Sequence, residues 1–526
     1  MAAYFWVTGG TGNWNNASNW ALTSGGIGGI AVPSSGDTAT IDANSGAGSV
    51  TLDISPVIQT LTCTGFTGTL AFGTNTISLN STGTIFTGAT TMTVTGTPLI
   101  ICTNSSATSR TIASGAVTEA NSISFRITAG TGTFAVTTNN VVRDLDFTDG
   151  TNPTGFQGSY SSTNHIIYGN LKASTGMTVT AGTGTFTFAA TSGTKTINTA
   201  GVTFDRPFTF NGVGGTWQLQ AALTSGATRT CTLTNGTLDL ASYTLTTGLF
   251  SSTNSNVRTL AFGTGKIVLT ATSGTIFTYG TATNLTVTGT SLFQATSGGA
   301  GTRTLTFATS GGTEANTINF EITSGSDTVS LAGTGGAAKN VNFTGFTGTI
   351  DIPNAKTIYG NWNSGSAASI TGTSTITFAA TSGAKTIQTN SLTYGGGFNF
   401  NGIGGTWAMQ DALALTGALT MTNGTLQLKA GTTSTVGSFA TSGTNPKFLT
   451  STTYGSQATI SATTGTFTVS YLTIQDNIAT GGATWDALAI TNVDAGNNTG
   501  WLFSSTPSIG NEVEMRLRSF TQPRRF

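Results

Sequence analysis

Charge is what this sequence has least of. Lys, Arg, Asp and Glu make up 7% of its 526 residues, against roughly 25% in an average globular chain. That leaves little material for ion-pair networks, acid-base pairs or carboxylate-rich metal sites. The balance is neutral, 19 basic against 19 acidic residues, so no net field draws in a phosphate backbone and nucleic acid is not an expected partner. One histidine, His165, rules out any site built from several imidazoles. The three cysteines, Cys63, Cys102 and Cys231, are odd in number, widely spaced and form no C-x-x-C. They read as small buried apolar residues, not as a disulfide or zinc framework. Proline is scarce at 9 residues, and the 72 glycines show no strict period of three, which excludes a proline-rich linker and a collagen.

Long apolar runs are missing too. No stretch approaches the roughly 18 residues of a membrane-crossing helix, so membrane insertion is not expected. The opening Met1-Ala-Ala-Tyr-Phe-Trp has no basic n-region and no extended apolar segment. It does not read as a secretory signal, and assembly inside a cell is the expectation. No Walker sequence, dinucleotide fingerprint or calcium loop occurs, and no cofactor or metal is expected.

What the chain does have is 37% hydrophobic residues, enough to offset chain entropy on folding, and a wealth of threonine, which is β-branched and favours strands. It also repeats itself. Leu70-Ala-Phe-Gly-Thr returns as Leu260-Ala-Phe-Gly-Thr, Gly83-Thr-Ile-Phe-Thr as Gly274-Thr-Ile-Phe-Thr, and Thr118-Glu-Ala-Asn as Thr313-Glu-Ala-Asn. Downstream, Phe188-Ala-Ala-Thr-Ser-Gly matches Phe378-Ala-Ala-Thr-Ser-Gly, and Asn211-Gly-Val-Gly-Gly-Thr-Trp217 matches Asn401-Gly-Ile-Gly-Gly-Thr-Trp407. The order is kept and the spacing stays near 190 residues throughout, which marks a duplication and not shared composition.

Inside each copy, short segments such as Thr60-Leu-Thr-Cys-Thr and Thr91-Met-Thr-Val-Thr alternate apolar and Thr/Ser positions, the period of a strand with one buried face. Gly-containing pairs separate them at short intervals. This rhythm predicts an all-β protein, a parallel β-helix whose coils hold roughly 20–30 residues each. Tandem β-sandwich domains are the alternative. The expected organisation is an N-terminal cap or attachment segment over 1–48, repeat units over 49–249 and 250–439, a partial third unit with a closing element over 440–503, and a charged tail over 504–526. In that tail, segment 512–520 alternates charged and apolar residues in the manner of a protected edge strand.

Candidates for chemistry are few. Arg143-Asp-Leu-Asp-Phe-Thr-Asp149 is the densest acidic group. Asp144 and Asp146 fall on one face of a strand, as a glycosidase or lyase pair would. The second copy carries Asn340 and Asn342 there, in Lys339-Asn-Val-Asn-Phe-Thr-Gly345. Solvated surface aspartates are the simpler reading, and no catalytic residue is expected. Trp217 and Trp407 are either buried in the column or glycan contacts through ring stacking.

Two segments carry a resemblance. Gly12-Asn-Trp14-Asn-Asn-Ala-Ser-Asn-Trp20, followed by Val32-Pro33 and Gly36-Asp-Thr-Ala-Thr-Ile-Asp42, resembles the opening of repetitive β-rich surface proteins, both bacterial adhesins and phage structural proteins. Tyr471-Leu-Thr-Ile-Gln-Asp476, with Trp485 and Gly496-Asn-Asn-Thr-Gly-Trp501, is similar to the closing element of β-helical tailed-phage proteins, the tail fibres and tailspikes. The resemblance implies a virion surface protein that forms homo-oligomers, in phage tails often trimers, contacts other virion proteins through its termini and touches host surface glycans. It implies a place in the virion after assembly in the host cytoplasm. No catalysis is expected. A glycan-degrading tailspike, hydrolase or lyase, and a secreted adhesin are the alternatives.

Overall fold

The computed structural model describes residues 1–137, 140–151, 153–307 and 312–504. The expected tail, including segment 512–520 and the terminal arginines, lies outside the described residues from position 505 onward. Apart from two three-residue 3-10 helices, Ala17–Asn19 and Ala43–Ser45, the described elements are β-strands. They group into two compact units. The first holds Met1–Ser251, Asn256–Val268 and Asn284–Ser291, and the second Ser252–Ser255, Leu269–Thr283 and the chain from Leu292 onward. Each is a parallel β-helix. The tandem sandwiches, which would need antiparallel hairpins, do not form.

The early coils of the first unit have three faces. Thr38–Thr40, Thr60–Thr62, Gly83–Thr87, Arg110–Ala113 and Thr133–Thr137 stack in parallel as one face. Ser49–Thr51, Thr69–Ala71 and Thr93–Thr95 form the second, and Ile77–Leu79, Leu99–Cys102 and Ser124–Ile127 the third. Because stacked strands hold register, every second residue forms a column through the interior. Ala39, Leu61, Phe86, Ile112 and Val136 make one such column. Ile77, Ile100, Phe125, Leu145, Leu171, Ile197 and Leu219 make another, and all seven are buried. Each large aliphatic or aromatic member contributes about 1.5–3 kcal/mol through burial. The three cysteines sit in the core as free thiols. Desolvation pushes Cys63 and Cys102 up to about 12 and raises Cys231 as well, so none is a reactive thiolate.

The second unit repeats this construction. Val329, Ile350 and Ile370 align in register, as do Leu305 with Leu331 and Phe378 with Phe400 and Met421. The duplicated Thr-Glu-Ala-Asn segment has a structural purpose in both units. A Glu119 carboxylate oxygen accepts from Thr191, from its N–H at 3.1 Å and its hydroxyl at 2.6 Å. Glu314 accepts from Thr381 at 3.1 and 2.7 Å in the same way. Each glutamate clasps residues 72 or 67 positions away, several coils along.

Aromatic clusters stand at the first and last described coils. Trp6, Trp14 and Trp20 pack edge to face with centroids 5.3 and 4.8 Å apart, and all three are buried. Beside them Ala3–Trp6 pairs antiparallel with Trp20–Ala21, a reversal that interrupts the parallel ladder. In the second unit Phe439, Phe467, Trp485 and Trp501 form a comparable cluster. No helix among the described residues is long and apolar enough to cross a membrane.

Candidate functional site

Alternation fixes what the third face of the first unit shows to solvent. If Phe125, Leu145, Leu171 and Ile197 point inward, the residues flanking them point outward. One outward ladder therefore runs Ser124, Asp144, Asn170, Thr196, and the other Arg126, Asp146, Lys172, Asn198. These side chains line a concave groove of about 730 Å³, with Arg143 and Gln220 also on its walls and Leu99 at its apolar margin. A groove of this size falls within the range of small-ligand sites, roughly 300–1,000 Å³.

The expected pairing of Asp144 and Asp146 on one face is what the structure has, and both line the groove. Their oxygens are already engaged. Asp144 accepts from the Ser124 hydroxyl at 2.6 Å, and from the Asn170 N–H and side-chain amide at 2.7 and 2.8 Å. Asp146 accepts from Arg126 Nε at 3.0 Å, and from the Thr148 N–H and hydroxyl at 2.9 and 2.7 Å. All four carboxylate oxygens thus serve the frame: one aspartate orients Asn170, the other Arg126. Arg143 donates to the carbonyls of Glu119 and Ala120.

In the second unit the corresponding ladders are mostly amide. Asn340 donates to Asn319 at 2.5 Å, Asn342 to Glu321 at 3.2 Å and Asn363 to Asn342 at 3.1 Å. Side chains here bond rung to rung and leave few groups for an outside partner.

Trp217 and Trp407 require a correction. Both are 0% exposed, so neither ring face can stack on a sugar, and neither residue is a glycan contact. The reason lies in their shared motif. Added Cβ atoms at Gly212 and Gly402 would run into the carbonyl oxygens of Ala190 and Ala380, and into the indoles of Trp217 and Trp407. The glycines let the bulged strands Phe208–Leu219 and Phe398–Met409 fold against the preceding coil and over the ring. Gly214 and Gly404, at φ +87° and +84°, supply the left-handed turn. The large apolar residues these loops expose are Val213 and Ile403.

Sequence reasoning also missed a set of buried cations. Arg110, Arg258, Arg303, Lys356 and Lys447 are almost wholly buried and bind backbone carbonyls near the coil corners. Arg110 donates to the carbonyls of Asn104 and Ala129 at 2.8 and 2.7 Å. Lys447 donates to those of Gly443 and Asn445 at 3.1 and 2.8 Å. Lys356 donates to Gly333 and Asn354 at 2.6 and 3.0 Å, and burial pulls its ammonium down to about 8. Arg303 also makes a two-point ion pair with Asp327, at 2.7 and 2.9 Å, with both side chains fully buried. The signal was available: each is followed two positions later by Ile or Leu, as in Arg110-Thr-Ile112 and Lys447-Phe-Leu449, which places the basic residue in the inward phase.

His165 is a core residue. Its ring stacks on Tyr160 at 5.5 Å and contacts Phe186 at 5.2 Å. Nδ1 lies 3.2 Å from the Asn140 carbonyl, while buried Nε2 has no partner. Desolvation lowers its pKa to about 4, with the Asn140 contact opposing and the Arg206 charge adding to the fall. No group of three or more His, Cys, Asp or Glu that could hold a metal occurs among the described residues. Compared with known proteins, the chain matches no family model, no curated sequence and no solved structure.

Proposed function

We propose that the chain is a virion structural protein, a tail fibre or another surface component, which assembles with itself and receives host-surface saccharides in the groove of its first unit without cleaving them. The observation that carries this reading is the engagement of Asp144 and Asp146. Glycoside hydrolysis needs one carboxyl free to protonate the leaving oxygen and a second free to attack or to activate water. Here both carboxylates are tied to side chains and backbone of the wall itself. What faces outward is a set of amide, hydroxyl and cationic groups suited to binding sugar hydroxyls. The solenoid, the sparse charge and the resemblance of both end segments to phage proteins support the virion assignment. Homo-oligomers, trimers among them, and contacts to other virion proteins through the termini belong to the same proposal.

Incubation of the purified protein with capsule and lipopolysaccharide from host strains tests it. The expected result is retention of polysaccharide with unchanged polymer size, and detection of the chain by mass spectrometry in purified particles. Shortening of the polymer that disappears in Asp144→Asn/Asp146→Asn would replace the structural reading with the enzymatic one. Absence from particles, with the protein on a bacterial surface, would favour the adhesin.

A further inference from the structure

We infer that the groove of the first unit is selective for acidic saccharides, with Lys172 as the group that meets the ligand's carboxylate. This rests on the reading of the groove as a saccharide site and names the class of sugar.

The two copies differ on this face. In the second unit, Asn340, Asn342 and Asn363 stand where the first has Asp144, Asp146 and Lys172, in a ladder of side-chain bonds that also takes in Glu321, so the coil folds without those three charges. The first unit gathers Arg126, Arg143, Asp144, Asp146 and Lys172 on one concave wall, in a chain where only 7% of residues are charged. These charges do not cancel. Asp146 is taken by Arg126 at 3.0 Å, and Asp144 by the neutral Ser124 and Asn170. Arg143 rests on neutral carbonyls. Lys172 lies one rung beyond Asp146, and its ammonium makes no hydrogen bond or ion pair with the described residues. Three cations against two acids leave the groove positive within a neutral molecule, and a half-open concave wall raises the field from each charge.

The neighbours of Lys172 complete the recognition. Asn170 and Asn198 flank it: Asn170, held by Asp144 and Thr196, has one side-chain N–H left to donate, and Asn198, whose amide oxygen accepts from the Ala200 N–H, can both donate and accept. A carboxylate at Lys172 with ring hydroxyls on the two asparagines matches a uronic or sialic acid unit in a chain. A neutral sugar would leave the ammonium without a counter-charge.

Calorimetric titration of the full chain tests this with three probes of equal length, a uronic-acid oligosaccharide, a sialylated one and a neutral glucose oligomer, plus inorganic phosphate. At least one acidic oligosaccharide should bind, more weakly as salt rises. Affinity should fall about tenfold or more in Lys172→Asn, which installs the residue of the second copy, and stay near wild type in Lys172→Arg and in the control Lys385→Gln. A thermal melt of each variant separates lost binding from lost fold. Equal binding of the neutral oligomer, or no effect of Lys172→Asn, overturns the selectivity and leaves the saccharide reading standing. No binding by any saccharide overturns both, and phosphate binding as tightly as the sugars reduces the groove to a simple anion site.

Discussion

Acidification should weaken the first unit through one side chain, His165. In the folded chain its pKa lies at about 4, against about 6.5 in an unfolded peptide. The unfolded state therefore takes up a proton as pH drops through 6.5, while the folded state resists until about pH 4. Stability is at its plateau above pH 6.5, declines as pH falls between 6.5 and 4, and levels off below. At 1.36 kcal/mol per unit the whole displacement is worth about 3 kcal/mol, of which about 2.5 is lost between pH 7.5 and pH 4.5. That window is clean, because the chain has no other histidine and ordinary carboxylates titrate near its lower edge. The assay is urea unfolding of wild type and His165→Phe at both pH values. Phenylalanine keeps the stack with Tyr160 and Phe186, and removes the buried unpaired Nε2 at the expense of the Asn140 contact. At pH 7.5 the variant should be close to wild type. At pH 4.5 it should be the more stable by about 2.5 kcal/mol. An equal pH dependence in both proteins would refute the assignment of the effect to this imidazole.

Two further outcomes follow from the interior. Asp327→Ala strands the buried Arg303 guanidinium and should destabilise the second unit by about 3–5 kcal/mol in chemical denaturation; Arg303→Met added to it should recover part of the loss, and a loss below about 1 kcal/mol would show that the carbonyl of Ser324 suffices. Gly212→Ala and Gly402→Ala place a methyl against a backbone carbonyl and a buried indole, and each should lower stability by about 1–3 kcal/mol or more, with a change in tryptophan fluorescence; tolerance of both would mean that the corners are loose.

Much of this architecture was readable because a parallel coil writes itself into sequence twice, as alternation within a strand and as recurrence between coils. Thr60-Leu-Thr-Cys-Thr predicts an inward Leu61 and Cys63, and both are buried. The facing of Asp144 and Asp146 follows from the same rule. Other features were hidden for identifiable reasons. The partners of those aspartates, Arg126 and Asn170, lie 20 and 26 positions away, and a coil of variable length gives no fixed offset at which to look. The tryptophans were ambiguous because a shift of one residue inverts every side chain of a strand. Counting back from Leu219, which the alternation buries, would have placed Trp217 inside. Buried arginines were overlooked because a charge is usually solvated, and only the corner carbonyls make the exception affordable.

The groove and the second unit's amide ladder together show where a solenoid is free to diverge. Each coil touches only its neighbours, and an inward substitution disturbs a column shared with the coils on both sides. Thus Trp217 and Trp407 keep the same residue and the same Gly-Gly corner, and the Glu119 and Glu314 clasps keep nearly the same geometry. At the groove the copies differ outward, Lys172 against Asn363 and Asp144 against Asn340, while the inward positions remain apolar, Leu145 and Leu171 against Val341 and Trp362. The charges of Asp144, Asp146 and Lys172, for which the second copy has Asn340, Asn342 and Asn363, are therefore not explained by what the coil needs in order to fold. Exposed ion pairs contribute about 0–1 kcal/mol, and a lysine with no partner contributes no pairing at all. The acidic saccharide proposed for the groove would supply the counter-charge that this concentration of residues lacks, and on that proposal the outward ladder of the first unit, and not the buried motif tryptophans, is where the chain meets its ligand.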